Sequence, residues 1–238
     1  MFAREAEGLQ ALTVAGGPRL PRPLLVGADF LLMEDLRPAT PGPLYWEAFG
    51  RQLARLHEHT SNQFGFEHDN FLGSTPQPNP PTEDGFEFFA EQRLEYQGRL
   101  ANGRGLLGSN ELARVLALAA RLREWIPNQP ASLIHGDLWS GNAITGSNGE
   151  PAIIDPAVHY GWAEAELGMT ALFGGFPERF YRAYEEVRPL ESGWPERLPI
   201  YNLYHLLNHV NLFGAGYLAQ VRSVLDRFAV AGNSHRER

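Results

Sequence analysis

The sequence predicts an α+β fold: a few short strands near the N-terminus, then a mainly helical remainder with one small β element in its middle. Three observations carry this. The early apolar stretch "PLLVGADFLLMEDL" is interrupted at Gly27-Ala28-Asp29, which leaves two runs of strand length. From Leu44 the apolar spacing becomes helical, with Tyr45, Phe49, Leu53 and Leu56 on one face. Later, Asn148-Gly149 sits between short apolar runs, a strong hairpin signal.

In chain order, residues 3–13 read as a short helix, ended by the breaker "GGPRLPRP". Strands are expected over Leu24–Val26 and Phe30–Met33. The Pro/Gly connector "RPATPGP" marks the expected boundary between a small part, 1–37, and a helical part, 38–238. After the helix that begins at Leu44, "FGFEHDNFLGSTPQPNPPTEDG" reads as a long, mostly structureless loop, a type that often carries function. Helices follow near Phe86–Asn102 and Asn110–Trp125, the second with a stripe of Leu112, Val115, Leu116, Ala119 and Leu122 that reads as core. Further helices are expected near Ala163–Phe173, Glu178–Val187, Pro195–Phe213 and Tyr217–Ala229.

Composition narrows the function. With 43% hydrophobic and 11% aromatic residues, the 238-residue chain is globular. A formal charge of −8 argues against a nucleic-acid partner, which would require a basic face. No apolar run reaches the length of a membrane span and the N-terminus is no signal peptide, so the cytoplasm is expected. The chain has no Cys, which excludes disulfides and thiol catalysis. It also has no Lys: every basic residue is Arg, so no mechanism that needs a Lys side chain can run on these residues alone.

The chemistry concentrates in "LIHGDLWSGNAI", residues 133–144, and the hairpin after it. A type I′ turn at Asn148-Gly149 would pair Ser147 with Glu150, Thr145 with Ala152 and Ala143 with Ile154. Pro151 would lie opposite Gly146 at a non-hydrogen-bonded position, and Asn142 would face Asp155. Cross-strand neighbours have Cβ atoms roughly 4.5–5.5 Å apart. An amide oxygen and a carboxylate at that spacing can share Mg²⁺, a cation that prefers oxygen ligands; alternatively the pair merely caps a hairpin. Asp137 on the adjoining loop favours the metal. An Asp, four residues, an Asn and then a hairpin ending in Asp is the layout of kinase catalytic loops. There one carboxylate accepts the hydroxyl proton and oxygen ligands hold the metal across the phosphates. Asp137 would be the base in a catalytic loop over 135–142, and Asn142 and Asp155 the metal ligands of a hairpin over 142–155.

"LIHGDLWSGN" and "IIDPA", with "STPQPN", "FFAEQRL", "FGGFPERFYRAY" and "LYHLLNHVNLFG", resemble the fructosamine (ketosamine) kinase family over nearly the whole chain. The resemblance implies a protein-kinase-like two-lobe fold, related to aminoglycoside and choline phosphotransferases, with a truncated small β lobe. It implies ATP and Mg²⁺ as cofactors and phosphorylation of the sugar of ketosamines, free or protein-linked. Met33, Glu34, Asp35 and Leu36 match the hinge that binds adenine; without the family they read as the tail of a buried strand. Glu5 matches the helix Glu that pairs with the ATP-binding Lys. Asn208, His209 and Asn211 match a polar wall near the substrate. Trp139 is a candidate platform for the sugar or a core residue. His205 and His209, one turn apart, lack the Glu of a zinc-binding H-E-x-x-H motif.

Departures from the family pattern are Pro81 and Gly85 in place of Trp, Ala163 in place of Arg and Glu166 in place of Asp. Family chains begin earlier, with a Gly-rich turn over the phosphates and a Lys-bearing strand. This chain is therefore expected to be a weak kinase as written, and to pair with a second copy of itself through the exposed edge of its two strands. Two alternatives stay open: a nucleotide-binding relative without turnover, and a kinase for an amino sugar or amino alcohol.

Overall fold

The computed structural model describes residues 1–229; residues 230–238 of the expected helical part lie outside the described residues. Helix α1 (Phe2–Ala11) leads into β1 (Pro23–Val26) and β2 (Leu31–Met33), an antiparallel pair where the sequence predicts one. Arg19 and Arg22 both pair with Glu34 and fasten the approach to β1 onto the end of β2. Leu9 and Leu12 of α1 are buried in the same apolar cluster as the helices downstream.

Helix α2 (Tyr45–His57) buries Tyr45, Phe49, Leu53 and Leu56, the face its spacing predicts, and packs on α7 (Glu178–Glu185). The expected helix near 86–102 is continuous but not uniform. It runs as α3 (Gly85–Phe89), a π-helical stretch (Ala90–Glu95) and α4 (Tyr96–Gly103). The Asp84 carboxylate caps α3, accepting from the N–H groups of Phe86 and Glu87. The π stretch carries a fully buried Arg93. Helix α5 (Ser109–Ala119) stops short of the expected Trp125, and a 3₁₀ turn follows at Leu122–Glu124. Leu122 is buried although the helix has ended, so apolar spacing alone does not mark the boundary.

The catalytic-loop segment leaves a three-stranded antiparallel sheet, β3 (Thr60–Ser61), β6 (Ala131–Ile134) and β9 (His159–Gly161), with β6 in the centre. The stretch expected to be structureless contains a hairpin, β4 (Asn70–Leu72) and β5 (Thr75–Gln77). Its inward side chains include polar Asn70 and Gln77, so it lacks the apolar alternation that marks a strand. The remaining elements are the hairpin β7 (Ala143–Thr145) and β8 (Pro151–Ile153), then α6 (Ala163–Leu172), α7, α8 (Trp194–Phe213) and α9 (Leu218–Phe228). None of the described helices is long and apolar enough to cross a membrane.

The β7–β8 register differs by one residue from the expected one. Thr145 pairs with Pro151, Ile144 with Ala152 and Ala143 with Ile153. The cause is the turn. Asn148 does not take positive φ; only Gly149 does, at 78°. The Gly149 N–H bonds Gly146 O at 3.1 Å, and the Gly146 N–H bonds Glu150 O at 2.8 Å. The loop is therefore wider than a two-residue I′ turn, and the Glu150 carboxylate holds it by accepting the Asn148 N–H. Asn142 consequently lies opposite Ile154, whose N–H it accepts at 3.1 Å, and Asp155 falls one position beyond.

Candidate active site

Strand β6 delivers the chain to His135, and the loop turns at Gly136 with φ 82°. A Cβ at Gly136 would lie 2.2 Å from the Ala157 carbonyl, so both the left-handed backbone and the close approach require glycine. Glu166 of α6 holds this turn from behind, accepting the N–H of His135 at 2.9 Å and of Gly136 at 2.7 Å. It also meets His57 Nε2 at 2.9 Å. Burial alone would push the Glu166 carboxyl up; the His57 hydrogen bond, with the His57 and His135 rings and the backbone donor, outweighs it and holds the carboxyl below the usual range.

Next in the loop, Asp137 meets Asn142. The amide Nδ2 donates to the Asp137 carbonyl at 2.9 Å and approaches Oδ2 at 3.4 Å. Asp137, Asn142 and Asp155 line one cleft of about 450 Å³. The cross-strand pairing argument for Asn142 and Asp155 was off by a residue, yet both side chains reach this cleft. Asp155 does so from a left-handed backbone, φ 57°, that ends β8. Burial, then the nearby Asp155 and Glu166 carboxylates, push the Asp137 carboxyl up to about 7. A smaller neighbouring cavity shares Asp137, Asp155 and Gly73 and adds Glu5. Burial, then Asp155, raises the Glu5 carboxyl as well.

The donor set fits a hard cation. The Asn142 amide nitrogen is engaged by Asp137, which leaves the amide oxygen for another partner. Among the described residues no group donates a hydrogen bond to the Asp155 carboxylate. Two oxygen donors without protein partners in one cleft suit Mg²⁺.

The far wall of the cleft is aromatic. Trp139, 38% exposed, stands edge-on to Phe173 at 6.4 Å. His209 packs against Phe173 at 4.8 Å, Phe213 at 5.4 Å and Tyr217 at 4.8 Å. Asn208 lines the cleft too, accepting from Gln97 Nε2 at 3.2 Å. Asn211 does not: its amide is buried and donates to Gln97, tying α8 to α4, which corrects its expected place on the wall. Both asparagines bond Gln97 from α8, three residues apart, but only Asn208 borders the cleft. Met33, Glu34, Asp35 and Leu36 line neither cavity. Glu34 is held by Arg19 and Arg22, and Leu36 is buried. His209 Nδ1 donates to the His205 carbonyl at 2.8 Å, and among the described residues the two rings belong to no cluster of three metal-ligating side chains.

Several residues of the site were not singled out by sequence. Phe173, Phe213 and Tyr217 read there as ordinary helix residues. Gln77 bonds Asn70, the Ala157 carbonyl and the Tyr204 hydroxyl. Arg93 lies over the Phe88 ring and bonds Pro78 O and Asn79 Oδ1. Together they fix the β4–β5 hairpin, whose Leu72 and Gly73 form the cleft floor. Neither carries a local sequence signal: Gln77 sits among Pro, Thr and Asn, and Arg93 among Glu, Gln and Leu.

The fructosamine kinase family matches residues 1–230. A Synechocystis protein assigned as a ketoamine kinase is 43% identical over 94% of this chain and 77% of its own. The chloroplastic protein-ribulosamine 3-kinase of Arabidopsis thaliana is 41% identical over 96% and 72%. A crystal structure of a Thermobifida fusca protein assigned as a fructosamine-3-kinase superposes with a TM-score of 0.89 at 37% identity, covering 98% of this chain and 81% of that one. An aminoglycoside phosphotransferase, 16% identical over 98% and 84% with a TM-score of 0.61, shares the fold alone. The α+β architecture is thus the kinase-like one expected from the sequence. With the family match spanning the described chain and its relatives near 40% identity, the chain belongs to the fructosamine kinase family.

Proposed function

We propose that the protein transfers the γ-phosphoryl group of ATP to a sugar hydroxyl of ketosamines, free or protein-linked, in the cytoplasm. The observation that carries this reading is a single cleft in which Asp137, Asn142 and Asp155 face Trp139 and His209. Relatives named for ketoamine and ribulosamine phosphorylation support the acceptor class.

In this reading Asp137 accepts the proton of the attacking hydroxyl. Its raised pKa makes it a stronger base than an ordinary carboxylate while it still ionises near neutrality. Asn142 fixes the Asp137 backbone and side chain, and Glu166 fixes the turn before it. The Asn142 oxygen and the Asp155 carboxylate would hold Mg²⁺, which supplies positive charge across the phosphates. Trp139 offers an aromatic face to the C–H surface of the sugar, with Asn208 and His209 on the far wall. The backbone of Met33–Leu36 and the Glu5 carboxylate serve the nucleotide, with residues 1–37 acting as the small lobe and 38–238 as the large one.

A coupled ATP assay with ketosamines, aminoglycosides and amino alcohols tests the proposal. Ketosamine-dependent ADP release is expected; release only with the other acceptors would replace the substrate class. A second reading is nucleotide binding without turnover. ATP binding by calorimetry, with no ADP release for any acceptor, would select it.

A further inference from the structure

Helix α8 brings a second ring beside the base. His205 is 5% exposed, and its Nδ1 is fully buried with no hydrogen-bond partner. The nearest acidic group is Asp137, whose Oδ1 lies 4.0 Å away. An unpaired buried nitrogen is costly, and few persist in native structures without a role. Asn142 approaches the other carboxylate oxygen, Oδ2. The two side chains therefore address the two oxygens of Asp137 from α8 and from the loop.

We propose that His205 is a positioning residue for the proposed phosphoryl transfer. Its Nδ1–H donates to Asp137 Oδ1 when the acceptor fills the cleft, and so sets which oxygen faces the attacking hydroxyl. Catalytic hydrogen bonds are often long before substrate arrives, and an approach of about 1 Å would close this one. A donor here has to be neutral, because a cation would stabilise the carboxylate and weaken the base. The surroundings keep His205 neutral: burial comes first, then His209 one turn away, while Glu166 opposes them weakly and Arg93 adds to them; the ring pKa falls to about 3. The Nδ1–H tautomer leaves Nε2 without a proton. Neither the family match nor the metal site requires this residue.

The inference rests on the kinase reading, and the test separates the two. Asn places its amide nitrogen where Nδ1 stands, whereas Gln reaches the Nε2 position. In the ketosamine-dependent assay, His205→Asn should keep kcat within about three-fold, while His205→Gln and His205→Leu should lose about ten-fold or more, as for one lost bond to a charged group. The ATP KM should not move in any of them. In an Asp137→Asn background, His205→Leu should cost nothing further, because it acts through Asp137. Equal losses for Asn, Gln and Leu, or additive losses in the double variant, would overturn the proposal. A parent protein that turns over no ketosamine defeats the functional reading instead. The proposal is then decided by imidazole ¹⁵N shifts, with His205 assigned from the His205→Asn spectrum. An Nδ1–H tautomer supports it, and an Nε2–H tautomer or a protonated ring at neutral pH overturns it.

Discussion

The backbone N–H of Gly136 donates to the Glu166 carboxylate at 2.7 Å, one residue before the proposed base. The same carboxylate takes the His135 N–H and the His57 ring, all of it buried. The Glu166 side chain reaches all three donors. Glu166→Gln keeps the size but leaves His57 and one backbone donor poorly matched. Breaking a buried charged network of this kind costs about 3–5 kcal/mol, so Tm should fall by roughly 6–20 °C. The Glu166 carboxyl lies below its ordinary value, so its stabilisation is present above the unfolded pKa and is lost as pH falls through the folded one. The parent should therefore lose its advantage over Glu166→Gln in acid. A constant gap in Tm down to low pH would contradict the clamp.

Asp137→Asn should cut turnover by roughly 10²–10⁴-fold, to a small residual rate, and leave ATP binding nearly intact. The carboxyl is raised from 3.8 to about 7, so the fold binds this proton more tightly than the unfolded chain does. The sign follows: ionisation destabilises the fold, most strongly above pH 7, and the penalty fades as pH drops toward the unfolded value. Asp137→Asn should thus melt several degrees above the parent at pH 8, and the difference should shrink by pH 5. The acid limb of kcat should lie near pH 7 without excess metal and lower with it, since a cation at Asp155 removes one cause of the shift. A variant less stable than the parent at pH 8 would count against a repelled, buried carboxylate.

The proposed base and Asn142 were legible because the motif is local: Asp137 and Asn142 share one loop, and four residues separate them. The roles of Glu166 and His205 were not, since Glu166 holds His135 and Gly136 from α6, His205 approaches Asp137 from α8, and their sequence context is that of any helix. The β4–β5 hairpin was missed for a related reason. Gln77 is satisfied by Tyr204, 127 residues away, so nothing nearby reports that a polar residue there is buried. The β7–β8 register shows a different limit. Asn-Gly announces a turn but not its width, and Glu150, by taking the Asn148 N–H, decided the width. The left-handed backbone at Asp155 then restored the shared cleft that the slipped register would otherwise have cost.

Trp139→Ala should raise the acceptor KM about ten-fold, the value of one good aromatic contact, with little change in the ATP KM. Trp139 lines the cleft beside Phe173, and among the described residues no hydrogen bond ties its indole elsewhere. Steady-state kinetics with each substrate varied in turn decide the matter. Similar changes in both constants would make Trp139 a packing residue.

The β1–β2 pair leaves Leu24, Leu25 and Leu32 more than half exposed, with Val26 and Phe30 not far behind. Leu24 and Leu25 are consecutive, so both faces of the ribbon carry apolar surface. Two strands are marginal in water, and both of these are edges with unpaired backbone groups. What holds them is α1 and the Arg19–Glu34–Arg22 cluster at one end. That combination favours pairing with a second copy of the chain, strand to strand. Sedimentation velocity should show association that grows with protein concentration. Leu24→Lys with Leu32→Lys places charge on the ribbon without touching the cleft, and should shift the protein toward monomer while preserving its helical circular dichroism. Leu9→Ala, by contrast, should destabilise the fold by about 2–5 kcal/mol, because Leu9 is fully buried under the ribbon's helix. A parent that stays monomeric at high concentration would mean that these exposed leucines do not drive self-pairing.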